Sequence, residues 1–313
     1  MNQKTIFALG FFDGVHLGHQ ALLTACRNLA EQSRCRAGVV TFTVHPDGLV
    51  SHSAPVLLNT SEDRKHLLLT YGAETVLALP FDKALMRTPW EAFLNSLLEK
   101  GAAGFVCGDD FRFGHRGAGN AQALADFCRE RGLPCAIVPE QLSHGSRISS
   151  TRIRELLEAG KVAEANRLLG HPHFLTGEVV KGKQLGRTLG IPTANLQLPE
   201  GIICPKFGVY ATKVMVDGKE YPAVTNIGTR PTVNGQGVNA ECHLLDFDGD
   251  LYGKIITVAF YAFLRPEQKF DSLEELKAQI AADIANVRKG FPREKAFGPD
   301  SCKCFGNSEK FYK

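Results

Sequence analysis

Two groups of residues in this chain have the types and spacing to act on phosphates. The first is the run GFFDGVHLGH at 10–19, which follows an apolar stretch and precedes a helical one. In a parallel sheet that is where a helix N-terminus faces an anion at a strand's carboxyl end. Gly10, Phe12, Asp13, Gly14 and Gly18 form the loop, and Gly14 and Gly18 let a ligand approach the backbone. His16 and His19 can aim two imidazoles at one transferring phosphoryl group. Spacing alone favours structural, solvated or weakly metal-binding histidines; it is the strand–helix junction that raises the phosphate reading. The run is not GxGxxG, which disfavours a nicotinamide enzyme. Far downstream, ISSTRIR at 148–154 opens a helix. Ser150 and Thr151 cap such a start, and with Arg154 and the free backbone donors they can also grip a triphosphate. GDDFRFG at 108–114 follows another apolar run and can line the same crevice.

The second group lies in the other half of the chain. GEVVKGKQLGRTLGIPTANL at 177–196 interleaves glycines with cations, as in a loop that surrounds phosphates. Glycines alone would signify no more than a turn. The Pro-Thr-Ala-Asn that follows places Thr193 and Asn195 on one side, two oxygen donors suited to Mg²⁺. Further on, strand alternation puts Glu241 on one face with His243 and Leu245. That face is expected to point inward, making Glu241 a candidate general base for a hydroxyl.

The elements that must carry these residues differ between the halves. Apolar runs at 6–9, 39–42, 76–79, 105–107 and 136–138 alternate with helical spacing such as Leu22, Ala25, Cys26 and Leu29. That is a βαβ rhythm, with a parallel sheet covered by helices. Helices are expected over 151–159 and 162–169, and Gly170-His171-Pro172 breaks the pattern, so the boundary is placed at 170. Beyond it, Asp217-Gly218 and Asp248-Gly249 read as hairpin turns in an antiparallel barrel. Ser272 and Glu275 form a capping box ahead of a helix whose apolar face is Leu273, Leu276, Ile280, Ile284 and Val287. The expected domains are 1–170 and 171–290, with 291–313 a poorly ordered polar tail.

Composition sets outer limits. At 313 residues there is chain for about two domains. A net charge of +3 argues against nucleic acid as the main partner. No secretory signal and no bilayer-length apolar run are read, so a cytoplasmic protein off the membrane is expected. The nine cysteines are odd in number and scattered, with no disulfide framework, and Cys302 and Cys304 lack a second pair for zinc.

The motifs together carry a resemblance. FDGVHLGH, GDDFRFG and ISSTRIR, in this order, resemble the adenylyltransferase module of bacterial bifunctional riboflavin kinase/FAD synthetases. The 177–196 run, then GVY, NIGTRPT, Glu241 with HLLDF, DLYG and FLR, resemble the riboflavin kinase family. The resemblance spans about residues 5–288 and implies a Rossmann-like nucleotidyltransferase domain followed by a six-stranded Greek-key β-barrel with a C-terminal helix. It implies that riboflavin is phosphorylated to FMN by ATP, and that AMP is then transferred to FMN, giving FAD and pyrophosphate.

By the same resemblance the 10–19 loop with Ser150, Thr151 and Arg154 holds ATP, and Asp109, Phe111, Arg112 and Arg265 contact flavin. Gly177, Gly182, Lys183 and Gly186 surround phosphates, Thr193 and Asn195 hold Mg²⁺, and Glu241 deprotonates the riboflavin hydroxyl. No obligate protein partner is implied. The chain departs from the family pattern at Phe11, Thr43 and Asn120. Those departures motivate one alternative, a riboflavin kinase whose first domain has a lost or altered acceptor. A flavin-binding regulator is a second, disfavoured by the intact Thr193, Asn195 and Glu241.

Overall fold

The computed structural model describes residues 4–50, 54–182, 190–232 and 235–290. Lys183, Gly186, Cys302, Cys304 and the 291–313 tail lie outside the described residues. Contacts divide the chain into two compact units, Met1–Leu57 with Ser61–Ser150, and Leu58–Thr60 with Thr151–Lys313.

The first unit is built on β1 (Thr5–Leu9), β2 (Arg36–Phe42), β3 (Thr75–Leu79), β4 (Ala102–Gly108) and β5 (Cys135–Val138). All pair in parallel, in the order β3-β2-β1-β4-β5. The central strand β1 is buried at every position, as its unbroken apolar run requires, whereas the outer β3 and β5 are only partly buried. The order reverses between β1 and β4, and a crevice opens at such a switch point at the carboxyl ends of the strands. The covering helices are α1 (Leu17–Ser33), α2 (Ser61–Thr70), α3 (Trp90–Glu99) and α4 (Ala121–Arg131). Phe93, Leu94, Leu97, Leu124 and Phe127 pack with Phe7, Leu9 and Phe105 in one core.

Asn120 has a plain structural explanation. Its Oδ1 accepts from the Ala123 N–H at 2.8 Å, capping α4, a task at which Asn and Asp are equivalent. Asn120→Ala is expected to cost the first unit about 1 kcal/mol in urea unfolding; no change would remove the cap as the reason for Asn at this position.

The second unit contains α5 (Ser150–Glu158) from Thr151 onward and α6 (Val162–Leu169), both ahead of residue 170. Asn166 fixes α6 to the barrel: its Nδ2 donates to the Phe260 carbonyl and its Oδ1 accepts from the His173 N–H, each at 2.8 Å. The barrel is closed and antiparallel, made of β6 (His173–Val180), β7 (Ala194–Gln197), β8 (Gly208–Val216), β9 (Lys219–Thr232), β10 (Gly235–Leu244) and β11 (Ile255–Arg265). Its order, β6-β7-β10-β9-β8-β11, places β11 beside β8 after the β8-β9-β10 meander, which is a Greek key.

Asp217 and Gly218, at φ 49° and 78°, make the expected two-residue turn between β8 and β9. Asp248-Gly249 does not. β10 and β11 are not neighbours, so these residues lie in a long connection whose left-handed positions are Asp246 and Gly253. The final helix, α7 (Leu273–Arg288), starts at Ser272, whose hydroxyl accepts from the Glu275 N–H at 3.2 Å. Ile284 and Val287 pack on the outward residues Val209, Ala211 and Val224. Leu273, expected on the apolar face, is 59% exposed because it sits at the free end of the helix.

Candidate functional site

In the first unit the chain leaves β1 through a loop under strain. Phe12 (φ 63°), Gly14 (φ 79°) and Val15 (φ 41°) are left-handed, and for a β-branched valine that conformation is a real cost. The surroundings hold it in place. Thr41 Oγ1 donates to the Phe11 carbonyl at 2.9 Å, Gln20 Nε2 to Val15 and Ser150 Oγ to Asp13 at the same distance. The result aims the next residue, His16, as the N-cap of α1, its Nδ1 accepting from the His19 N–H at 3.4 Å. The His16 and His19 rings stack at 3.7 Å with 15° between their planes. A Cβ on Gly18 would sit 3.1 Å from the His16 ring, so the glycine leaves the ring its place.

Burial, then the neighbouring His16 and Arg64, hold the His19 imidazole well below its usual pKa. Its Nδ1 is covered and makes no hydrogen bond.

Across the switch point, Asp109, Phe111 and Arg112 follow β4. Asp109 and Arg112 are exposed, while Phe111 stacks on Phe113 at 5.3 Å. Asp109 Oδ2 accepts from the Glu140 N–H at 3.3 Å, and Arg147 bridges Asp110 and Glu140. In the second unit, Thr151 and Arg154 lie on α5, in the turn that Ser150 begins.

Two cavities flank the strand β7 region of the barrel. One, of about 510 Å³, is lined by Val179, Thr193, Asn195, Phe247, Asp250 and Tyr252 among others. The other, of about 330 Å³, is lined by Thr193, Asn226, Glu241, Arg265, Phe270 and Ile280 among others. Thr193 borders both, so a group held in one is presented to the other. Glu241 is not directed into the barrel as the alternation suggested. Ala240, Cys242 and Leu244 take the inward positions, and Glu241 is exposed in the second cavity, between the barrel wall and α7.

Asn239 ties these groups together: its Nδ2 donates to Asn195 Oδ1 at 3.0 Å and to Glu241 Oε1 at 3.2 Å. Sequence reasoning missed Asn239, although its i, i+2 relation to Glu241 on one strand face was visible. It missed Asp283 too, whose carboxylate holds Arg265 bidentately at 2.8–3.2 Å. A lone buried acid on the apolar face of α7 was the signal. Arg265 thus forms a fixed wall of the second cavity.

A Cβ at Gly177 would lie 2.3 Å from the Gln197 carbonyl, and one at Gly182 2.3 Å from Asn195 Nδ2. Asn195 is pinned by Asn239 and has little freedom to yield. Gly182→Ala is therefore expected to displace Asn195 and slow the phosphoryl transfer that the resemblance implies for this unit by tenfold or more, on the order of a 1 Å misplacement. Initial rates of the variant check this; wild-type rates would show that the close approach is unimportant.

Against known proteins, residues 1–152 match the FAD synthetase family and residues 169–291 the riboflavin kinase family. The chain is 39% identical over 290 residues to the bifunctional riboflavin kinase/FMN adenylyltransferase of Escherichia coli K12, covering 91% of this chain and 92% of that protein. It is 35% identical over 292 residues to the protein of that name from Listeria monocytogenes, covering 92% and 93%. A crystal structure named macrolide-efflux protein, from Streptococcus pneumoniae, matches with a TM-score of 0.85 and 31% identity over 93% of this chain and 95% of that one. Among the described residues no helix is long and apolar enough to cross a membrane.

Proposed function

This chain belongs to the family of bifunctional riboflavin kinase/FMN adenylyltransferases, and from that premise we propose how its two units divide the work. The second unit phosphorylates riboflavin with ATP, and the first transfers AMP from ATP to the FMN so formed. Both families match, each over its own part of the chain, which favours the bifunctional enzyme over a kinase alone. The observation that carries the kinase half is Thr193 bordering two cavities, with Glu241 in one and Asn195 in the other.

In the kinase unit, ATP occupies the larger cavity, its phosphates near Thr193, Asn195, Gly177 and Gly182, with Lys183 and Gly186 from the segment outside the described residues. Riboflavin occupies the smaller one, against Arg265, Phe270 and Ile280. Glu241 takes the proton of the riboflavin 5′-hydroxyl, the oxygen attacks the γ-phosphorus, and ADP leaves. Thr193 and Asn195 would hold Mg²⁺. The Asn195 carbonyl oxygen has a second lone pair beyond its bond from Asn239, and two neutral oxygens suit a cation that keeps waters and substrate phosphates as its other ligands. Bound there, Mg²⁺ would neutralise charge on the phosphates.

In the first unit the acceptor is already an anion and needs no enzyme nucleophile. An FMN phosphate oxygen attacks the α-phosphorus, and pyrophosphate leaves. His16 and His19, on the loop of Gly10, Phe12, Asp13, Gly14 and Gly18, donate to the charge that develops. Asp109, Phe111 and Arg112 stand for the flavin side, and Ser150 for the triphosphate. Our reading puts the reaction in the cytoplasm, where ATP is available. Incubation with FMN, ATP and Mg²⁺ is expected to give FAD and pyrophosphate in equal amounts. Their absence would reduce the protein to its kinase half.

A further inference from the structure

Arg64 is among the largest fully buried side chains of the protein, 2% exposed, and neither the motifs nor the family resemblance assign it a role. It lies on α2, which packs on the Asp13–Val15 turn of the histidine loop. Its Nη2 donates to the Phe42 carbonyl at 2.7 Å, at the carboxyl end of β2. Its guanidinium lies 4.1 Å from the centroid of the Phe11 ring, whose other neighbour is His45, edge-on at 4.5 Å. Its Nη1 is buried and has no hydrogen-bond partner.

A buried guanidinium with one nitrogen unsatisfied is costly unless an anion completes it. The acidic groups acting on it are Asp13 and Glu62, while His19 lies close enough to feel its charge. Phe11 and the Phe42 carbonyl hold the planar group at one end of the sheet, the end where the histidines stand. Arginine at such a position matches phosphate geometry, with donors fixed in a fork.

We propose that Arg64 is a phosphate-contacting residue of the first unit, its Nη1 donating to an oxygen of the ATP polyphosphate that leaves as pyrophosphate. The inference rests on reading that unit as the adenylyltransferase. Phe11, a departure from the family pattern, then acts as the platform that positions this cation.

The test uses the full chain. Arg64→Gln is expected to lower kcat/KM for ATP in FAD formation on the order of 10²-fold, the loss typical of one removed donor. Arg64→Lys keeps the charge and is expected to lose roughly tenfold less. Riboflavin phosphorylation should stay within about twofold of wild type in both. Inorganic pyrophosphate, titrated calorimetrically onto each protein, should bind about tenfold more weakly to Arg64→Gln. FAD formation by Arg64→Gln within about threefold of wild type would overturn the proposal. So would equal losses in both variants with pyrophosphate affinity intact, the mark of a purely structural arginine. Should Arg64→Gln not fold, Arg64→Lys decides: a raised KM for ATP at an unchanged thermal midpoint supports the contact, and an unchanged KM refutes it. If the wild-type protein forms no FAD, the adenylyltransferase reading fails by itself, and the pyrophosphate titration still decides whether Arg64 holds phosphate.

Discussion

Replacing Glu241 by glutamine is expected to cut FMN formation by about 10²–10⁴-fold, the usual contribution of a positioned general base. Glutamine keeps the size of the side chain and an oxygen for the Asn239 amide, so the Asn195–Asn239–Glu241 chain of contacts stays filled. What it removes is the acceptor for the hydroxyl proton. FMN adenylylation should be untouched, because Glu241 belongs to the barrel unit and the paired histidines to the other. Separate assays from riboflavin and from FMN check both halves of the claim. Equal loss in the two would contradict the division of labour.

Replacing His19 by alanine should do the converse, lowering FAD formation from FMN by about 10²–10³-fold while riboflavin phosphorylation continues. The size follows from the setting: a ring stacked on His16, next to a buried arginine, with donors fixed before the charge develops. The pH dependence follows from the sign of its shift. With its pKa held well below 6.5, His19 is neutral at and above that pH, so its own titration should leave FAD formation flat from pH 6.5 upward. Loss of activity as pH rises through 7, abolished in the alanine variant, would show instead that a charged His19 is needed.

Much of this was legible in the residues. The five apolar runs became the five strands of the parallel sheet because such runs suit strands covered on both faces, and the edges β3 and β5 differ only in being covered less. Asp217-Gly218 was legible because a two-residue turn needs only local chemistry. Asp248-Gly249 misled because the same dipeptide forms a hairpin only if its flanking strands are neighbours, which barrel topology decides.

Glu241 illustrates a similar limit. Alternation separates the two faces of a strand but does not say which faces the barrel interior. Arg64 was the least legible of all. In a helix of the composition SEDRKHLLLT it looks like one more surface charge, and only the packing of α2 on the loop buries it. Phe11, a departure in the sequence, acquires its meaning from that same contact.

The most direct measurement follows riboflavin, ATP and Mg²⁺ with the purified chain over time, resolving riboflavin, FMN, FAD and pyrophosphate. FMN should rise first and then fall as FAD and pyrophosphate appear in equal amounts. FMN accumulating without FAD or pyrophosphate would contradict the bifunctional reading and leave a riboflavin kinase.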